Sequence, residues 1–423
     1  MSKRISRREM MTRALGAAGV LAGGLPAVLT TKGAPAVAPL PDRSDDAPSA
    51  PVSIQRCESY EPKLVRRQLD TALDQIGGIG NLVRGKTVTV KLNCTGEVRQ
   101  LFGRPAYETY HVHPHAVGAL CGALHDAGAK RIVLVEAWYY NEPPEEVLTT
   151  AGWDLAAIRS AGGQVTIENT RNKGSWPSYG RIKVPWGGYI FPAFDVNQWY
   201  INTDVFVSLG KMKNHETAGV TMTAKNLFGV TPTALYADDA PNEKTLKARG
   251  AIIHMGSRKV PDGVPGENDH NVPADPKNRV PRYTADIVGA RPVDLAIIDG
   301  ILTIRGGEGW WNKGVEITEP KLLFAGRNPV CTDAVCAAVM GYDPQAPHSQ
   351  PPFPGDNHLR LLAAVGVGTN NVKRIEVRGL SVEKALHPFQ AKAESRAAQR
   401  ALGLRDEKVC GLPYGGCPRL VSI

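Results

Sequence analysis

The sequence predicts an α/β protein, with a mostly parallel central sheet, helices on both faces and long loop insertions. Short apolar or alternating runs recur along the chain, and stretches of helical spacing follow several of them, as in βαβ units with right-handed crossovers. The chain has 423 residues, 42% hydrophobic and 22% charged, which suits a large buried core and excludes a disordered chain. Its 44 Gly and 32 Pro residues follow no period, so they mark long loops rather than collagen.

Ser6-Arg7-Arg8-Glu9-Met10-Met11 resembles a twin-arginine translocation signal. The Gly/Ala-rich stretch from Ala14 to Leu29 falls short of the ~20 apolar residues of a membrane span and reads as a signal core. Ala36-Val37-Ala38 offers a cleavage site. The expectation is a signal peptide over 1–38, passage through the twin-arginine translocase, a periplasmic or extracellular location and no stable membrane anchor. Residues 39–60 read as a Pro/Asp/Ser-rich linker, 61–385 as an α/β domain of one or two lobes, and 386–423 as a C-terminal helix and Cys-containing tail.

Within the domain, Leu64, Val65, Leu69, Leu73 and Ile76 predict a helix over Pro62 to Ile76. Lys86 to Asn93 alternates as a strand. Pro114 to Ala127 is a helix with Pro114 in its first turn, and Arg131 to Glu136 is an apolar strand. Gln164 to Glu168 is a strand, Gly180 to Phe194 a hairpin insert, and Thr203 to Leu209 a buried strand. Thr217 to Phe228 has Val220, Ala224, Leu227 and Phe228 at helical spacing. Val293 to Asp299 and Lys321 to Ala325 are strands. Val330 to Met340 is a helix capped by Asn328, with Pro329 at its first position. Val372 to Arg378 is a late strand. Residues 256–283 carry Pro261, Pro265, Pro273, Pro276 and Pro281 and read as an insertion, either disordered or a lid over a site.

The formal charge of +9 is concentrated at the start. Lys3, Arg4, Arg7, Arg8, Arg13 and Lys32 against Glu9 contribute +5 of it, leaving +4. No basic run is interleaved with aromatics, which excludes nucleic acid as a partner. The seven cysteines include no Cys-x-x-Cys, so iron–sulfur and structural-zinc readings lack support. Cys410 and Cys417 are a candidate disulfide. Cys331 and Cys336 read as small packing residues.

In open α/β sheets, ligands bind at the carboxyl ends of the strands. The strand ending near Leu209 runs into Lys211, Lys213 and His215, and a following helix would add its positive end, so an anion cradle is expected. The strand ending at Lys91 and Asn93, and the one ending at Asp299, point to the same rim. Lys225 and Asn226 follow along the chain. On this reading Lys91, Asn93, Lys211, Lys213 and Asn226 hold a small anionic molecule, His215 or Lys225 moves a proton, and Asp299 orients its partner. Lys91 equally reads as a surface lysine, Asp299 as a turn former and His215 as a solvated loop residue. Asp333 reads as a structural first-turn carboxylate. His111, His113 and His115 are the metal candidates, since imidazoles suit zinc, copper, iron or nickel, although no companion ligand stands at a known spacing. No GxGxxG, P-loop, G-x-S-x-G or H-E-x-x-H occurs, so the cofactor stays unknown.

Several ordered segments taken together resemble one family. They are Val90-Lys91-Leu92-Asn93; Val205-Phe206-Val207-Ser208-Leu209 leading to Lys211-Met212-Lys213-Asn214-His215; and Lys225-Asn226-Leu227-Phe228-Gly229. Asp299-Gly300 with Gly306-Gly307-Glu308-Gly309, and Asn328-Pro329-Val330-Cys331-Thr332-Asp333, complete the set. The chain is similar to the domain of unknown function 362 family across most of Lys86 to Asp343. The resemblance implies a fold and a site position but no reaction, and the ferredoxin-like Cys-rich segment of some relatives is missing. The expectation is an exported periplasmic enzyme binding a small anionic substrate or cofactor. The alternative is a non-catalytic periplasmic protein that binds a metal or another ligand.

Overall fold

A computed structural model of the chain describes residue 40 and residues 42–239, 242–268 and 272–389. The twin-arginine segment, Cys410 and Cys417 lie outside the described residues. The strands in chain order are β1 (Val52–Arg56), β2 (Thr87–Lys91), β3 (Arg131–Glu136), β4 (Val165–Asn169), β5 (Gly180–Lys183), β6 (Ala193–Val196), β7 (Val205–Lys211), β8 (Asn214–His215), β9 (Gly219–Val220), β10 (Leu295–Gly300), β11 (Thr303–Arg305), β12 (Glu316–Thr318), β13 (Leu322–Gly326) and β14 (Val377–Gly379). Eight of them form one sheet in the order β14-β1-β13-β10-β7-β2-β3-β4. Only β13 runs antiparallel to its neighbours in it.

The central strands are apolar because both sides are covered, as in most parallel sheets. Val88, Val90, Ile132, Leu134, Val205, Val207, Leu295 and Ile297 are buried on one face with residues of helices Pro62–Gln75 and Pro114–Asp126. Val133, Val135, Phe206, Ala296, Ile298 and Phe324 are buried on the other with residues of helices Pro276–Ala290 and Pro329–Val339. Each fully buried Val, Leu, Ile or Phe side chain among these contributes about 1.5–3 kcal/mol. The caps follow the sequence. Asn328 Oδ1 accepts from the amides of Val330 (2.9 Å) and Cys331 (3.1 Å), and Pro329 takes the first position.

Four expectations change. The linker over 39–60 contains β1, paired between β13 and β14 with Val52, Ser53 and Ile54 fully buried; five residues are too few to show a period. The helix over Thr217 to Phe228 is replaced by the β8–β9 hairpin and a 3₁₀ segment, Lys225–Val230. Gly219 and Met222 have φ of 77° and 43°, which no α-helix accepts. With that helix goes the helix end expected to complete an anion cradle. The insertion over 256–283 ends in helix Pro276–Ala290, with Asp275 as cap. Pro281 cannot donate to the Lys277 carbonyl, and the Asp356 amide does so instead at 3.0 Å, so the helix tolerates it. The late strand over Val372 to Arg378 is a 3₁₀ turn, Val372–Arg374, followed by β14. No helix among the described residues is long and apolar enough to cross a membrane. Cys331 and Cys336 are buried and unpaired.

Candidate functional site

Parallel β2, β3, β7 and β10 end at one edge of the sheet in Lys91, Glu136, Lys211 and Asp299-Gly300. In register, Asp299 pairs with Lys211, while Lys91 pairs with Ser208. Pleating sends alternate residues to opposite faces. Lys211 and Asp299 therefore share one face, and Lys91 and Ser208 share the other. The expected single row of amines is divided by the sheet.

On the first face, Lys211 Nζ lies 2.9 Å from Asp299 Oδ2, with both side chains fully buried. Tyr60 Oη donates to Asp299 Oδ1 at 2.6 Å, and the His113 amide donates to Oδ2 at 3.0 Å. Burial lowers the Lys211 pKa, and Asp299 partly restores it. Burial beside Asp299 holds the Tyr60 hydroxyl well above the usual phenol range. On the second face, Lys91 is ion-paired with Glu136, whose Oε2 also accepts the Cys94 amide at 2.7 Å. The Asn226 amide nitrogen donates to the Lys91 carbonyl (3.2 Å) and Ser208 Oγ (3.1 Å). That fixes Asn226 Oδ1 as the acceptor for Asn93 Nδ2 at 3.0 Å. Asn93 Oδ1 is left without a partner among the described residues, on a side chain only 4% exposed.

Lys213 donates to the carbonyls of Tyr110 (2.6 Å) and Glu308 (2.9 Å). Burial pushes its pKa down to about 7, against the pull of the Glu308 carboxylate. That carboxylate accepts from the Glu216 amide (2.9 Å) and the Trp311 indole (3.2 Å).

Lys225 differs from the other three lysines. It is 7% exposed, and its ammonium makes no hydrogen bond or ion pair with the described residues. It rests 4.0 Å from the centre of the Phe228 ring. Burial pushes its pKa down to about 7; Glu308 raises it, while Arg249 and Lys91 lower it further. His215 is partly exposed, and its Nδ1 accepts from the amides of Thr217 (3.2 Å) and Ala218 (3.3 Å). This pattern assigns the proton of the neutral ring to Nε2. Burial, with Lys225 among the opposing charges, holds His215 well below the usual imidazole range. Burial likewise pushes His254 and His358 down to about 3.

Two devices place Lys225. Gly210 lets the backbone of Met222 lie against β7, since a Cβ there would sit 2.3 Å from the Met222 carbonyl. Asp333 then holds the turn through the Thr223 hydroxyl (2.6 Å) and the amides of Thr223 (3.0 Å) and Ala224 (2.8 Å). Its role is structural, as the sequence suggests, but its partners come from across the fold rather than from its own helix. Asp333→Ala strands these buried donors and is expected to lower stability by about 2–4 kcal/mol, with Asp333→Asn losing less. Urea unfolding midpoints check the order.

The three metal candidates are occupied otherwise. His111 Nε2 donates to the Thr95 carbonyl at 2.8 Å. His113 stacks on Tyr60 with ring centres 3.7 Å apart, and its Nδ1 caps the helix by accepting the His115 amide at 3.1 Å. His115 Nδ1 donates to the Tyr60 carbonyl at 2.7 Å. Among the described residues, no group of three His, Cys, Asp or Glu side chains is arranged to hold a metal ion.

Tyr60, Tyr110, Glu136, His254 and His358 are not among the sequence candidates, and Glu308 stands there only within the Gly306-Gly307-Glu308-Gly309 motif. Glu136 was findable, because it ends a strand as Lys91 does. Tyr60 sat in the supposed linker and offered no signal.

Together these features define an α/β protein with a lysine-rich polar centre at the carboxyl edge of its sheet. Residues 88–338 match the family described as Domain of unknown function (DUF362), and the chain belongs to that family. It is 28% identical over 305 residues to the thylakoid-associated protein sll1697 of Synechocystis sp., covering 69% of this chain and 75% of that one. Among solved structures it is similar to a Thermotoga maritima protein, at 13% identity and a TM-score of 0.30, over 62% of this chain and 56% of the other. It is also similar to the lactate racemase apoprotein of Thermoanaerobacterium thermosaccharolyticum, at 14% identity and a TM-score of 0.29, over 65% and 55%. The chain thus spans just over half the length of each solved structure.

Proposed function

We propose that this protein is an exported enzyme that acts on a small anionic molecule beside Lys225, with Lys213, His215, Asn93 and Asn226 around it. Lys225 carries the reading: it is a buried amine with no hydrogen-bonding or ionic partner among the described residues. Burying a cation without a counter-charge is costly, and an arriving carboxylate or phosphate supplies that charge. Lys211 is engaged by Asp299 and Tyr60. Lys213 has already placed two of its N–H groups on carbonyls. The anion-holding role therefore centres on Lys225, with Lys213 supplying its remaining N–H. Lys225 Nζ moves the proton, and His215 Nε2–H donates a hydrogen bond to the bound anion. Lys91 and Asp299 are positioning residues that tie the strand ends together. The twin-arginine-like start supports export to the periplasm or beyond.

The test is thermal unfolding of the full chain with phosphate or propanoate. At a hundredfold excess over Kd, a ligand specific to the native state stabilises by about 2.7 kcal/mol. Wild type and the surface variant Lys63→Ala are expected to melt a few degrees higher with ligand, and Lys225→Met is not. Equal shifts in all three, or none in wild type, would refute the site.

A further inference from the structure

We infer that Lys225 acts as a covalent amine, condensing with the carbonyl group of a small 2-oxo acid to form an imine while the acid's carboxylate lies against Lys213 and His215. This rests on the reading of the Lys225 region as a substrate site and names the substrate class. An amine that only bound anions would do best fully charged and well solvated. Lys225 is instead 7% exposed with no hydrogen-bonding or ionic partner among the described residues, and burial, with Lys91 and Arg249 among the opposing charges, outweighs the attraction of the Phe228 ring face at 4.0 Å. A large share of the amine is then neutral near pH 7, and the neutral amine is the nucleophile.

The surroundings offer hydrogen-bonding groups, and solvent exchanges the protons. The Nζ lone pair attacks the carbonyl carbon, and the π pair moves to oxygen, which takes up a proton. The nitrogen gives one up, forming a carbinolamine. The proton lost by nitrogen passes to that oxygen, and the hydroxyl then leaves as water with a second proton taken from solvent, giving a protonated imine. Amine, carbonyl and one solvent proton become a protonated imine and water, with no change of oxidation state. His215 offers a protonated Nε2 beside this centre, fixed by the bonds its Nδ1 accepts. His254 and His358 stay neutral near Lys225 and add no positive charge that would repel the protonated imine. Asn93, bonded to the neighbouring Asn226, presents the unpartnered Oδ1 as an acceptor for the carbinolamine hydroxyl.

The experiment traps the imine. Full-length protein is incubated with pyruvate and sodium cyanoborohydride, which reduces a protonated imine to a stable secondary amine, and is then read by intact mass and peptide mapping. The expected result is one reduced pyruvyl group per chain, on the peptide containing Lys225. It should be absent from Lys225→Arg, a variant shown to be folded by its cooperative melting, and present in Lys63→Ala. No label on Lys225, or label spread over surface lysines, would overturn the inference. Propanoate, which lacks the carbonyl, separates the two readings. If propanoate stabilises wild type through Lys225 but pyruvate leaves no adduct, the anion site stands and the imine falls. If neither acid stabilises the protein and no adduct forms, both fall.

Discussion

Asp299→Ala is expected to lower stability by about 3–5 kcal/mol, because it leaves a fully buried ammonium without its counter-charge. Lys211 and Asp299 are both 0% exposed and 2.9 Å apart. The same carboxylate also receives the Tyr60 hydroxyl and the His113 amide. The Ile301 amide also donates to it, at 3.3 Å, so removing the carboxylate strands four donors at once in a fully buried place. The reverse truncation, Lys211→Met, leaves the carboxylate with Tyr60 and His113 and should cost less. Lys211→Met combined with Asp299→Leu should recover much of the loss, since apolar side chains of similar size replace a buried pair at little cost. A double-mutant cycle from urea unfolding measures this, with an expected coupling above about 1 kcal/mol. If Asp299→Ala melts like wild type and only a ligand response is lost, the carboxylate belongs to the reacting site and not to the frame.

That contrast shows what the chain made legible. The strand-end rule found Lys91, Lys211 and Asp299 because the apolar runs before them are local and short. Asn328 with Pro329, and Pro114, announced their helices because caps act within one turn. Which face each side chain takes, and who neutralises whom, are long-range matters. Tyr60 reaches Asp299 across 239 residues, and Lys91 finds Glu136 across 45. Neither distance leaves a mark on spacing. The helical spacing of Val220, Ala224, Leu227 and Phe228 misled for a related reason. Those side chains are buried by a hairpin and a 3₁₀ turn pressed against β7, where Gly210 removes the Cβ that would keep them apart. The pattern recorded burial correctly and backbone shape wrongly.

Lys225→Met is expected to do the opposite of Asp299→Ala: to stabilise the protein while removing its response to anions. The unfolded chain holds this amine near its ordinary value of 10.5, whereas burial pushes it down to about 7 in the fold. Between these values the unfolded state binds more protons, so this residue makes stability rise with pH from about 7 to 10 and fall again as pH drops. Methionine has similar reach and no charge to desolvate, and it can keep the contact with Phe228. At pH 7 the variant should gain about 2–4 kcal/mol, less than the full linkage value because the native state relaxes around a charged group. The gain should vanish towards pH 10. The difference in stability between variant and wild type should fall with pH across that window with an average slope below one proton, under about 1.4 kcal/mol per pH unit. Lys213 titrates in the same range, but it is present in both proteins and cancels in the difference. Urea unfolding at pH 7, 8.5 and 10 measures the three points. A variant no more stable than wild type at pH 7 would mean that the amine is already satisfied in the resting protein, and the case for Lys225 as the group that meets the substrate would go with it. A gain at pH 7 together with lost ligand stabilisation would mark Lys225 as a residue kept at the expense of the fold, as expected where a strained, desolvated group serves binding or chemistry.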